Sequence, residues 1–124
     1  CVDAAHEAGA YVVKHTDGNI MGIIDMIVET GIDALNPIEP QAGMDIGLIK
    51  ERDGDRIALV GNIDCGYLLS QAPVEEVRRV TRETIEVAAP GGGYCLSSSN
   101  SIHSSVKPEN FMAMVETLRE FGEY

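Results

Sequence analysis

The chain has 124 residues, with 9 basic and 20 acidic side chains and a formal net charge of −11 at pH 7. This charge repels nucleic-acid phosphates and anionic membrane surfaces, so we expect neither nucleic acid nor a membrane as a partner. Hydrophobic residues make up 44% of the chain, enough for a core, and no apolar run approaches the roughly 20 residues of a membrane-spanning helix.

The cysteines Cys1, Cys65 and Cys95 are odd in number and lack the spacing of a zinc knuckle or a redox motif. This pattern favours a reducing, cytoplasmic location, and the first ten residues do not resemble a signal peptide. The chain starts without Met, on a segment typical of the end of a helix. We therefore expect residues 1–124 to form a single partial domain of a longer protein.

The first third of the chain predicts helix, strand, helix. Residues 2–8 are helical in character and end at Gly9, and 11–14 form an apolar run typical of a buried strand. Asn19 is a candidate cap for the next helix. The apolar stripe of that helix has the spacing of one helical face and consists of Ile20, Ile23, Ile24, Ile27 and Val28.

The middle of the chain predicts two further strands, at 32–35 and 56–60. A loop with two prolines follows the first of them, and a helix is predicted at 43–51. The run 56–60 is apolar throughout, as in a strand covered on both faces. A short helical turn is predicted at 65–69.

The last third predicts a long helix at 73–88, a strand at 94–97, and a final helix that begins at Pro108. Cys95 lies within this strand, so we expect it to face the core. The stripe of the long helix is Val74, Val77, Thr81, Thr84, Ile85 and Ala88. The stripe of the final helix is Phe111, Met114, Val115, Leu118 and Phe121.

Four strand-then-helix units predict an α/β fold with a parallel sheet. The loops after the strands are polar, whereas the loops before them are plain turns, which is how a (β/α)8 barrel separates function from stability. A full barrel needs about 250 residues. The chain therefore fits four units of such a barrel, or an open doubly wound sheet.

The most informative loop follows the first strand, where His15 and Asp17 lie two residues apart at the functional edge. A strand-end histidine beside a capping aspartate is the structural alternative. The other strands are followed by Asn36 and Glu39, by Asn62 and Asp64, and by Asn100 and His103.

In their order along the chain, these loops resemble the C-terminal half of the uroporphyrinogen decarboxylase superfamily. The resemblance covers nearly the whole chain. It is carried by KHTDGN (14–19), TGIDALNPIEPQAGMDI (30–46), GDRIALVGNID (54–64), APGGGY (89–94), LSSSNSIHSSVKPENFMAMVE (96–116) and the final REFGEY.

The resemblance implies the C-terminal half of a (β/α)8 barrel. It also implies either a tetrapyrrole decarboxylase or a zinc-dependent methyltransferase that uses corrinoid-bound methyl groups. The methyltransferase motif His-x-Cys-Gly falls on His15 to Gly18, where Asp17 replaces the cysteine. A later cysteine ligand aligns with Asn100. Zinc bound by thiolates is therefore disfavoured, and a divalent metal held by nitrogen and oxygen remains as an expectation.

From this resemblance and the loop chemistry we expect His15, Asp17, Glu39 and His103 as metal ligands. Glu39 and Asp64 are the expected catalytic residues, with Glu39 acting as ligand or general base. The residues expected to bind substrate are Asn36, Asn62 and Asn100.

Three functions stay open. The first is metal-assisted methyl transfer from a corrinoid, delivered by a corrinoid protein, to a small thiol or similar acceptor. The second is decarboxylation of a tetrapyrrole, although only Lys14 and Lys107 are cations near the predicted strand ends. The third is a non-catalytic half barrel that closes its exposed sheet edges by forming a homodimer.

Overall fold

A computed structural model describes residues 1–123. It contains four strands, five α-helices and one short 3₁₀ helix. In chain order these are α1 (Val2–Glu7), β1 (Val13–His15), α2 (Ile24–Glu29), β2 (Ala34–Asn36), the 3₁₀ helix (Pro40–Ala42), α3 (Ile46–Asp53), β3 (Ala58–Ile63), α4 (Val74–Ala88), β4 (Tyr94–Ser98) and α5 (Pro108–Phe121). None of the helices in this range has the length and apolar character to cross a membrane.

The four strands form one sheet in the order β1-β2-β3-β4, and every neighbouring pair is parallel. Right-handed crossovers between strands that are added in sequence place all the connecting helices on one face. A doubly wound sheet would instead reverse its strand order part-way across. The predicted α/β fold is thus confirmed, with four parallel strand–helix units arranged as in a (β/α)8 barrel.

The hydrophobic core lies between the sheet and the helices, in two clusters. One joins α2 and α3 to the middle strands through Ile24, Ile49 and Leu59, which are fully buried. The other joins α4 and α5 to the end of β3 and the turn that follows it, through residues such as Leu69 and Val77. Both clusters use the strand residues that point toward the helices.

The opposite face of the sheet has no covering layer among residues 1–123. All three residues of β1 are exposed, and 57% of the surface of Val13 is accessible to solvent. Cys95 is also exposed. The predictions that 11–14 is buried and that Cys95 faces the core are therefore wrong, because β1 is an edge strand of the sheet and Cys95 lies on the uncovered face.

The second helix begins later than predicted. Asn19 does not cap it. Instead, the Asn19 side-chain oxygen accepts a hydrogen bond from the Met21 N–H, which closes a local turn, and α2 starts at Ile24. This use of an asparagine competes with helix capping. Ile24 and Val28 are buried as expected, whereas Ile23 is half exposed.

The buried stripe of α4 agrees with the prediction except at Val74, which is only partly buried. The predicted stripe of α5 is confirmed at Met114, which is buried, and Phe111 and Val115 pack partly buried against the same cluster, whereas Leu118 is exposed. The other buried residues of α5 are Asn110, Ala113 and Thr117. The Asn110 amide donates hydrogen bonds to the carbonyls of Leu68 and Ala72, at 3.2 and 2.9 Å. The buried face of α5 therefore includes a polar anchor, which hydrophobic spacing alone does not predict.

At Gly61, β3 passes close to the backbone of the loop after β2, near the carboxyl edge of the sheet. β3 continues past the predicted strand end, through Gly61 to Ile63. Gly61 has φ +148°, and a Cβ atom there would lie 2.1 Å from the carbonyl oxygen of Pro37. Only glycine fits this approach of β3 to the loop after β2.

We expect Gly61→Ala to destabilise the fold by roughly 3 kcal/mol or more, because the strain of the positive φ adds to the clash with backbone. Urea unfolding followed by circular dichroism measures the change. Gly22→Ala is the control, because nothing lies within 4 Å of its Cβ position. Equal stability of the two variants would contradict the close approach.

Candidate active site at the carboxyl edge of the sheet

His15 and Asn36 lie side by side at the ends of β1 and β2, because they are partners in the strand register. Nδ1 of His15 lies 2.5 Å from Oδ1 of Asn36. The Asn36 amide nitrogen donates a hydrogen bond to the carbonyl oxygen of Val60 at 3.0 Å. Asn36, a predicted substrate contact, thus has both ends of its amide occupied within the sheet.

Asp17 lies next to the same histidine. Its Oδ1 atom is 3.5 Å from Nε2 of His15, and both side chains are about half exposed, at 52%. The structure therefore brings together the two residues that the sequence singles out. The free side of the imidazole ring faces a carboxylate.

Glu39 connects the first two loops. Its Oε2 atom accepts a hydrogen bond from the Gly18 N–H at 2.6 Å, so the loop after β2 is tied to the loop after β1. Its other carboxylate oxygen has no hydrogen-bond partner among residues 1–123. Glu39 thus combines a structural contact with one free acceptor.

Asp64, the other predicted catalytic residue, is bonded at both carboxylate oxygens. Oδ1 accepts from the Gly66 N–H and from the Gln41 amide, at 2.8 and 2.7 Å. Oδ2 accepts from the N–H groups of Tyr67 and Leu68, at 2.8 and 2.9 Å. Asp64 holds the turn after β3 and anchors it to the 3₁₀ helix.

These bonds lower the pKa of Asp64 below its ordinary value of 3.8. Partial burial is the largest single influence and on its own raises the pKa. The hydrogen bonds from the backbone and Gln41 together outweigh it. The carboxylate is therefore held in its charged form.

The remaining predicted residues differ in exposure. Asn62 is buried, and its amide donates to the Ile38 carbonyl at 3.0 Å. Asn100 and His103 are exposed. The Asn100 side-chain oxygen accepts from the Ser101 N–H at 2.8 Å, and Nδ1 of His103 accepts from the Ser105 N–H at 3.3 Å.

A cleft of about 330 Å³ lies between the loops after β2, β3 and β4. Four of the predicted residues line it: Glu39, Asp64, Asn100 and His103. Gln41 and Ser99 also line it, and the sequence did not single them out as functional, because a glutamine in a proline loop and one serine among several carry no distinctive spacing. His15 and Asp17 lie outside the lining.

The predicted metal ligands do not form one centre. Within residues 1–123 there is no group of three or more His, Cys, Asp or Glu side chains that could hold a metal ion. His15 and Asp17 form one pair, and Glu39 and His103 share the separate cleft. The residues of this chain therefore do not by themselves fit a zinc site, which needs three or four protein ligands.

Positive charge is scarce at this edge, because most arginines pair with carboxylates elsewhere. The ion pairs join Arg52 to Asp25, Arg56 to Asp53, Arg78 to Glu116, Arg79 to Glu83 and Arg82 to Glu86. Lys107 donates to the carbonyl of Gln71. Lys14 is exposed in β1, next to His15. The edge thus carries more carboxylates than cations.

Comparison with known proteins identifies relatives of two kinds. The family model described as uroporphyrinogen decarboxylase (URO-D) matches residues 1–121. A uroporphyrinogen decarboxylase from Thioalkalivibrio sulfidiphilus is 35% identical over 103 residues, covering 80% of this chain and 27% of that protein. The protein of the same name from Methylococcus capsulatus is 31% identical over 99 residues, with the same coverage of 80% and 27%.

Among solved structures, a methyltransferase from Methanosarcina mazei matches with a TM-score of 0.80 and 26% sequence identity. The match covers 98% of this chain and 34% of the methyltransferase. The chain thus spans about a quarter to a third of the length of these relatives.

The bonding of Asp64 predicts a pH-dependent contribution to stability. Because the pKa is lower in the folded state, the stabilisation is complete above the ordinary value of 3.8 and is lost as the pH falls through the folded-state pKa. We expect Asp64→Asn to cost about 1–2 kcal/mol at neutral pH, and the cost to shrink below that value.

Urea unfolding between pH 7 and pH 3 measures this difference. Asp55→Asn is the matched control, because Asp55 is exposed and has no such bonds. A cost that is independent of pH would show that the carboxylate charge does not hold the turn.

Proposed function

Because the chain belongs to the uroporphyrinogen decarboxylase family, we propose that it forms part of an enzyme that transfers a methyl group to a small nucleophilic acceptor. The methyltransferase from Methanosarcina mazei, which matches over 98% of the chain, supports this choice. The reaction would take place at the carboxyl edge of the sheet, where parallel α/β folds build their active sites.

The observation that carries the proposal is the charge of this edge. Asp17, Glu39 and Asp64 supply carboxylates there, and the ion-paired arginines lie on or beside the helices. A substrate with several carboxylates would meet repulsion, whereas an alcohol, a thiol or an amine would find hydrogen-bond acceptors. This favours methyl transfer over decarboxylation of a polyanion.

Glu39 is the residue best placed to accept a proton, since one of its oxygens is free and it lines the cleft. The acceptor X–H gives its proton to Glu39 while X forms a bond to the methyl carbon. The bond from that carbon to the leaving group breaks, and its electron pair departs with the leaving group. A positioned base of this kind contributes roughly 100-fold or more to the rate.

We propose a corrinoid on a partner protein as the methyl donor, which makes it a second substrate of this enzyme. A divalent metal would need further ligands from outside residues 1–123, so no step is assigned to it. We also retain the cytoplasmic location as part of the proposal.

We expect the intact protein to transfer methyl groups from methylcobalamin to at least one member of a panel of small alcohols, thiols and amines. Glu39→Gln should lower kcat by roughly 100-fold or more, because the amide cannot accept the proton. The absorbance of cobalamin and mass spectrometry of the methylated product measure the transfer. Asp55→Asn is the control with unchanged activity.

Decarboxylation of a tetrapyrrole is the second candidate, because the relatives from Thioalkalivibrio sulfidiphilus and Methylococcus capsulatus are uroporphyrinogen decarboxylases. Carbon dioxide released from uroporphyrinogen, with no transfer from methylcobalamin, would replace the methyl-transfer proposal with this one. In that case most of the cations that hold the substrate must come from outside this chain, because Lys14 is a single exposed cation in β1.

A homodimer is the third candidate, and the exposed sheet face with Val13 and Cys95 favours it. Burying this face against a second copy would remove apolar surface from water. Light scattering of the chain should then give twice the mass of one chain. A stable monomer would contradict the dimer.

A further inference from the structure

We infer that Asn36 is a positioning residue, which sets the tautomer of the neutral form of the His15 ring, with hydrogen on Nδ1. The lone pair of Nε2 then faces the rim as an acceptor for a hydroxyl, thiol or amine group of the substrate. This inference rests on the proposed function, because it specifies how the edge recognises a nucleophilic acceptor.

The Val60 carbonyl fixes the orientation of the Asn36 amide. The carbonyl oxygen of Val60 lies 3.0 Å from one end of that amide and can only accept a hydrogen bond. The amide nitrogen must therefore point toward Val60. The reverse orientation would bring two acceptor oxygens together, so the backbone of β3 determines which way the Asn36 side chain faces.

The oxygen of the Asn36 amide determines which ring nitrogen of His15 carries the hydrogen. With the amide nitrogen bound to Val60, Oδ1 of Asn36 faces Nδ1 of His15. An amide oxygen only accepts, so Nδ1 must carry the hydrogen. The strand register and the hydrogen bond from the Thr16 N–H to the Asn36 carbonyl, at 2.9 Å, hold the two residues side by side.

Nε2, the other ring nitrogen of His15, lies on the side of Asp17. Neutral histidine carries one hydrogen, so Nε2 has a lone pair. Oδ1 of Asp17, 3.5 Å from Nε2, is a second acceptor at the same place. In the opposite tautomer, Nε2–H could donate to Asp17 over this longer distance, but the Nδ1 lone pair would then face the Asn36 oxygen and repel it. Two neighbouring acceptors, one of them anionic, select a group that donates hydrogen.

The other histidines of the chain provide internal controls. Nε2 of His6 lies 2.9 Å from the carboxylate of Asp33, which can only accept, so His6 should carry its hydrogen on Nε2. Nδ1 of His103 accepts from the Ser105 N–H, so His103 should also carry its hydrogen on Nε2. His15 should therefore differ from both.

Long-range ¹H–¹⁵N correlation spectra of the ¹⁵N-labelled chain test this directly. They are recorded in mildly alkaline buffer. The expected result is hydrogen on Nδ1 in His15 and on Nε2 in His6 and His103. His15 with hydrogen on Nε2 would overturn the inference.

Two substitutions test the cause. In Asn36→Ala the acceptor is lost, and the His15 signals should shift toward the Nε2–H form. In Asp17→Asn and in the control Asn100→Ala the Nδ1–H form should persist. An unchanged tautomer in Asn36→Ala, or its loss in Asp17→Asn, would show that Asn36 does not set it. The spectra need no substrate, so they can fail independently of the methyl-transfer assay.

Discussion

Hydrogen bonds from side chains to the backbone hold the carboxyl edge of this sheet together. β1 and β2 are only three residues long, so their ladders supply few bonds. The side chains extend these ladders across consecutive loops: Asn36 reaches Val60, Asn62 reaches Ile38, and Glu39 reaches Gly18. Each bond pairs a side chain with a backbone N–H or C=O group of a neighbouring strand or loop. The arrangement of the site depends on this network.

The network also separates the polar residues by what remains free. Both carboxylate oxygens of Asp64 accept hydrogen bonds, from backbone N–H groups and from the Gln41 amide. Asp64 therefore supports the turn after β3. Glu39 keeps one free oxygen, and His15 keeps the side of its ring that faces Asp17. Under the proposed function, we therefore expect chemistry from groups with an unused acceptor, and not from every carboxylate near a strand end.

The sequence predicted the order of elements because hydrophobic period and turn residues are local properties. It also placed His15 beside Asp17, since two residues on one strand end share a side. It did not predict the exposure of Val13 and Cys95, because burial depends on what covers the second face of the sheet. The bond from the Asn110 amide to Leu68, and the link between Gln41 and Asp64, join residues far apart in sequence, so no local pattern indicates them.

Family membership and local charge answer different questions about substrate. The relatives named as decarboxylases share the fold and 31–35% of aligned residues, which does not determine the charge of the edge. In this chain the arginines that pair with Glu83, Glu86 and Glu116 are already neutralised on the outer helices. These arginines lie on a helix and not at a strand end, so their side chains are not placed to hold a substrate at the edge. Lys14 is an exposed cation in β1, so a polyanionic substrate requires further cations from another segment, whereas a hydrogen-donating acceptor needs only the groups present here.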